Sequence, residues 1–213
     1  MRSALPLLLI GAGLAGCAHR VVAPPAPPPE PVAVETPAKT PLAWRNVASP
    51  DDATRIASLA DRYAAALGGR APAGLRADAR KGWPEPTPGV YDCRITRLGA
   101  GQAVTKATAF KAFLCYVGDD GEFLTLTKGT GTERPGGRLW HDTGQRMVFL
   151  GAVPAPGQAA PEAYGDDAAT NRVGVLERIG DFRWRLIFDA PKSGIAFDVL
   201  EMTPTPRPLV AER

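Results

Sequence analysis

A chain of 213 residues has the length of one domain with extensions. Its hydrophobic content of 45% supports a buried core, whereas 22 prolines and 23 glycines exceed what a compact globule takes and place part of the chain in linkers. A net charge of +3 with scattered basic residues builds no concentrated cationic face, which argues against a nucleic-acid partner.

The N-terminus reads as a signal peptide over residues 1–16. Arg2 supplies the positive start and residues 5–13 a short apolar run. That run falls short of the roughly 20 apolar residues a spanning helix needs. Leu14-Ala15-Gly16-Cys17 resembles the lipobox of bacterial lipoproteins. The resemblance implies that Cys17 is diacylated on sulfur and becomes the first residue of the mature chain, tying it to a membrane by several acyl chains. Ala18 stands where an aspartate would mark inner-membrane retention, so the expected address is the outer membrane, facing the periplasm. The rest of residues 17–43 is a proline-rich tether in extended polyproline II form. About 25 such residues at ~3.1 Å each reach on the order of 75 Å.

The domain is expected over residues 44–203, with a loose tail over 204–213. A helix is predicted to start at Ser49, a good N-cap, with Pro50 at the first position and Asp51 and Asp52 facing the dipole. Ile56, Leu59, Ala60, Tyr63, Ala64 and Leu67 fall on one face, and Gly68-Gly69 ends it. Asp51 and Arg55, four apart, are expected to pair. Trp83 reads as an anchor that fastens the connection over residues 70–88 to the domain.

From Gly89 onward the pattern switches to short alternating segments. Eight strands are predicted, at 89–98, 111–117, 122–128, 137–141, 146–153, 172–179, 182–189 and 196–203. Gly118-Asp119-Asp120-Gly121, Asp142-Thr143-Gly144-Gln145 and Gly180-Asp181 supply the turns. In the segment Arg183–Phe188, Trp184, Leu186 and Phe188 alternate with Arg183, Arg185 and Ile187, as in a half-wet antiparallel strand. Residues 147–153 are apolar on both parities, so cover on both faces is expected. Short connections without interleaved helices give a mainly β fold: an antiparallel eight-stranded small barrel or sandwich, calycin-like, with one N-terminal α-helix packed on it.

Tyr91, Cys93 and Ile95 share one parity, as do Phe113, Cys115 and Val117, so both cysteines point with the apolar residues into a core. With Cys17 consumed by lipid, Cys93 and Cys115 remain as a pair. A bond between them would close a loop of about 23 residues and remove roughly 3.4 kcal/mol of unfolded-state entropy. Such a bond belongs to an oxidising compartment. Two histidines and no CxxC spacing make no zinc site, and neither metal nor cofactor is expected.

Two connections exceed what the topology needs. Residues 127–137 are glycine-rich, and Lys128 and Arg134 there are candidates to hold a carboxylate or phosphate, although Arg134 and Pro135 break any dinucleotide fingerprint. The loop over residues 154–171 carries Tyr164 and the adjacent Asp166 and Asp167, without calcium-loop spacing. Trp140 and Tyr164 are the aromatic binding candidates. His141 reads as a turn residue, and with no GxSxG elbow no catalytic residue is assigned.

The segments TKGTGTERPGG, QRMVFLG, GVLERIGDFRWRL and DVLEMTP, with GVYDCRI before them, resemble a family of bacterial envelope proteins known as DUF4893. The likeness spans residues 44–204 and implies a shared domain without an assigned activity. GVYDC is also similar to the first barrel strand of membrane-bound lysozyme inhibitors. The resulting expectation is a monomeric, lipid-anchored periplasmic binding or interaction module for a small apolar ligand or an envelope protein. An inhibitor of a cell-wall hydrolase and an envelope enzyme are the alternatives.

Overall fold

The computed structural model of the chain describes residues 43–67, 73–99, 107–131, 133–189 and 195–206. The expected signal peptide, Cys17, most of the expected tether and tail, and the Gly68-Gly69 stop lie outside them.

Among the described residues, nine strands form one antiparallel sheet. They are β1 (Gly89–Gly99), β2 (Ala107–Ala109), β3 (Phe113–Asp119), β4 (Leu124–Lys128), β5 (Gly136–Thr143), β6 (Arg146–Ala152), β7 (Asn171–Gly180), β8 (Arg183–Asp189) and β9 (Ile195–Pro204). From β3 onward each strand pairs with the next, and β9 returns to pair with β1, closing an eight-stranded barrel. β2 is the extra strand. It continues the edge that β3 occupies on β1, but Cys93 faces Phe113 while Thr96 faces Ala109. Two residues of β1 therefore stand opposite three, residues 110–112, and this bulge turns Phe110 out to 44% exposure.

Alternation along the strands sorts the core into two layers. Inside the barrel lie Tyr91, Leu126, Leu139, Phe149, Trp184 and Leu200, among others. Aromatic edges fill the middle: Tyr91 meets Trp184 at 5.9 Å and Phe149 meets Phe188 at 5.4 Å between ring centroids. The other layer lies outside, under the helix α1 (Pro50–Leu67), where Ile56, Leu59, Tyr63 and Leu67 cover Val148, Val175 and Ile187. β6 is thus buried on both faces, as its apolar run predicts. Glycines let β5 and β6 approach closely. A Cβ on Gly137 would stand 2.4 Å from the Gly151 Cα, and one on Gly151 would stand 2.3 Å from the Gly136 carbonyl oxygen.

Ser49 caps α1, its hydroxyl accepting the Asp52 amide at 3.2 Å. Arg55 does not serve Asp51. It pairs with Asp52 and approaches Asp189 at 3.7 Å, because those carboxylates lie on the barrel side of the helix. Ala64 is exposed, so the buried stripe is narrower than its apolar residues suggest. β8 also departs from expectation. Its arginine face is not wet throughout, since α1 lies over Arg185 and leaves it 5% exposed.

Before the helix, a 3₁₀ turn at Trp44–Asn46 is pinned to the β5–β6 hairpin. Trp44 Nε1 donates to Asp142 Oδ1 at 2.7 Å, Arg45 Nη1 donates to the same oxygen at 3.0 Å, and Arg146 Nε donates to Oδ2 at 2.6 Å. Asp142 lies in β5, at the register shift next to the hairpin turn, rather than in the turn itself. Burial alone would raise its carboxyl, but the donors from Trp44, Arg146 and Arg45 outweigh it and hold it below the usual carboxylate range. A depressed carboxylate stabilises the fold above its unfolded-state value, and that contribution vanishes as pH falls through the folded one. Asp142→Asn is expected to cost about 2 kcal/mol near neutral pH. In urea titrations the gap from the wild type should shrink on acidification below about pH 4.

Candidate functional site

Side chains fill the middle of the barrel. The end formed by the close of β1 and β4 and the start of β3 and β9 opens into a cleft of about 450 Å³. Its walls are Ile95 and Arg97 of β1, Phe110–Phe113 of the bulge, Lys128 at the end of β4, and Thr130, Gly131 and Glu133 of the following loop. The bulge makes the apolar wall. An extra residue there lets Phe110 and Phe113 both reach the opening.

Charge is concentrated behind that wall. Arg97 grips Asp198 with two parallel bonds of 2.8 Å and reaches Glu133 at 3.2 Å. Arg172 Nη2 lies 3.3 Å from Asp198 Oδ2, the oxygen that Arg97 Nη2 also binds, and Asp198 is only 2% exposed. The hydrogen bonds to Asp198 are the largest influence on Arg97 and raise its guanidinium's affinity for its proton. Lys128 donates to the Glu133 carbonyl at 2.6 Å and sits 4.8 Å from the Phe113 ring centroid. Burial pushes its ammonium below the usual lysine range, against the pull of Glu133 and Asp198. Among the described residues, Arg97, Lys111, Lys128 and Arg172 oppose Glu133 and Asp198, four cations to two carboxylates. An anion entering this mouth meets a net positive, partly dehydrated wall beside aromatic surface.

The residues singled out from sequence are divided by the fold. Lys128 is in the cleft. Arg134 turns away, donating to the Ala159 carbonyl at 2.5 Å, and so ties the loop after β4 to the one after β6. Trp140 is 5% exposed and packs on Phe123 at 4.3 Å. With Tyr164 it lines a separate cleft of about 570 Å³ on the flank, near Val47. Tyr164 is a tether: its hydroxyl donates to Asp52 Oδ2 at 2.5 Å and accepts the Ser49 amide at 3.0 Å. Burial, then the Asp52 bond, raises its phenol. Asp166 and Asp167 accept backbone amides of their own loop. Among the described residues no group of histidine, cysteine, aspartate and glutamate is arranged to hold a metal ion.

Cys93 and Cys115 are bonded inside the barrel, with 6.0 Å between their Cα atoms. Tyr91 pairs with Cys115 and Cys93 with Phe113, so the two cysteines are diagonal neighbours on one face. His141 is a strand residue at the other end of the barrel, not a turn residue, and its Nδ1 lies 3.1 Å from Glu85 Oε1.

Among known proteins, a family model described as a domain of unknown function (DUF4893) matches residues 44–202. No curated protein and no solved structure matches the chain.

Proposed function

The chain belongs to the DUF4893 family, which carries no assigned activity, and from its geometry we propose that it is a lipid-anchored periplasmic module that binds an amphipathic anion at the barrel mouth. The single observation behind the ligand class is Lys128, a half-buried ammonium set against the Phe113 ring with Arg97 and Lys111 beside it. A carboxylate or phosphate head would compensate the desolvation that Lys128 bears, and an apolar tail would cover Phe110 and Phe113. The Cys17 motif supports the anchor, and the bonded cysteines support an oxidising compartment.

The probe is a dansylated undecanoic acid, with its methyl ester as the uncharged counterpart. The acid is expected to bind the full chain at least about tenfold more tightly than the ester, and Lys128→Met to remove that preference. Equal binding of acid and ester, or an unchanged preference in Lys128→Met, overturns the ligand class. The mass of the mature chain extracted from its own membranes tests the anchor, which requires acyl chains on Cys17.

A further inference from the structure

The opposite end of the barrel is closed by residues 80–88, and this segment holds one side chain where packing does not want it. The Arg80 amide donates to the Arg178 carbonyl at 2.7 Å, and Trp184 Nε1 donates up to the Pro84 carbonyl at 2.9 Å. The Tyr91 hydroxyl donates to the Thr87 carbonyl at 2.6 Å. Pro84 and Pro86 are buried, and they are the anchors of the connection. Trp83, expected to be that anchor, is 72% exposed. Its φ of 46° lies in the left-handed region, which a bulky residue rarely occupies, and Gly82 before it has a φ of 74°. Buried Pro84 and Pro86, with the Pro84 carbonyl held by Trp184, thus present a bare indole to solvent from a backbone conformation that bulky residues rarely take.

Beside that indole is a cleft of about 320 Å³ between the segment and the β5–β6 hairpin, lined by Trp83, Glu85, His141 and Thr143. Glu85 Oε1 faces His141, whereas Glu85 Oε2 is buried with no hydrogen-bond partner among the described residues. A buried carboxylate oxygen in that state requires a donor. The neighbouring Asp142 is already engaged by Trp44, Arg45 and Arg146. Arg45 and Arg146 neutralise Asp142, so the lining offers a cation no second open carboxylate beside Glu85. A neutral ligand with hydroxyl donors on its edge and a flat C–H face fits both features.

We propose that this cleft binds a glycan, one pyranose ring stacking on Trp83 and donating a hydroxyl to the Glu85 carboxylate. Sugars with equatorial substituents present the flat C–H face that the indole needs, so β-linked glucose or N-acetylglucosamine chains are the class. The site is independent of the anion cleft, at the other end of the barrel.

Calorimetric titration of the full chain, in a polyoxyethylene detergent that carries no sugar, tests it with cellotetraose and chitotetraose. Saturable binding is expected for at least one of them. Trp83→Ala, an exposed position, should abolish it without moving the thermal midpoint, and Trp83→Phe should retain part. Glu85→Gln should weaken it about tenfold, and Lys128→Met should leave it unchanged. Binding of neither oligosaccharide, binding that survives Trp83→Ala, or binding of choline in their place would each overturn the proposal.

Discussion

Glu177→Ala is expected to destabilise the barrel by about 4 kcal/mol, among the largest effects of any single substitution, because it leaves a guanidinium buried without its counter-charge. Glu177 and Arg185 are directly opposed on β7 and β8, and Glu177 Oε2 accepts from Arg185 Nη2 at 2.5 Å. Both side chains lie beneath α1, at 10% and 6% exposure. Arg185 has two further partners there. Its Nη1 donates to the Leu75 carbonyl at 2.8 Å, and its guanidinium lies 5.0 Å from the Tyr63 ring centroid. The Tyr63 hydroxyl donates to the same carbonyl at 2.7 Å, so the pair fastens the helix and the chain after it to the sheet. Burial pushes the Tyr63 phenol up to about 12, with Arg185 acting in the opposite sense.

The pair's net worth is a different quantity from the cost of breaking it. Two charges brought under a helix surrender hydration that their attraction only partly returns. Glu177→Leu with Arg185→Met should therefore stay within about 1 kcal/mol of the wild type, while Glu177→Ala alone does not. Urea unfolding of the three proteins decides it. If the double variant is as unstable as the single one, packing and the Leu75 contact matter more than charge here.

Strand alternation revealed eight strands and their inward residues because parity is a local property: Cys93 with Tyr91, Leu186 with Trp184. The mouth was legible in part. Arg97, Arg172 and Asp198 each share parity with interior residues, and a charge at such a position has to find a partner or an opening. Which partner was not readable. Arg97 and Asp198 are 101 residues apart and meet only because β9 closes on β1. Arg185 looked solvent-facing for the same reason, since alternation says which face a residue is on but not what covers that face. Trp83 was misplaced by a local cause. An aromatic beside prolines resembles an anchor, and its left-handed backbone, which sends the indole outward, leaves no mark in composition. Lys128 stands out in its glycine-rich loop, whereas Arg134 of the same loop ties it to the loop after β6.

Removing the bond between Cys93 and Cys115 is expected to cost about 3 kcal/mol, within the range of native disulfides. The two sulfurs are separated by 22 positions and join β1 to β3 inside the barrel, where Cys93 is 1% and Cys115 is 0% exposed. β1 is the strand on which closure depends, because it pairs with β3 and β2 on one edge and with β9 on the other. The β1–β9 seam joins distant parts of the chain and must bear a large loop-closure cost, whereas the β1–β3 hairpin is local. A bond that keeps β1 and β3 together in the unfolded chain leaves less order to be found when β9 arrives. Cys93→Ala with Cys115→Ala should thus lower the urea midpoint and slow refolding, if the hairpin forms before the seam. A loss confined to the unfolding rate would place the bond's effect after closure instead. Alkylation under denaturing, non-reducing conditions gives the complementary measurement on protein taken from its own host. Neither thiol should react. Labelling of both would show the bond absent in the cell, and the periplasmic reading, which needs an oxidising compartment, would fail with it.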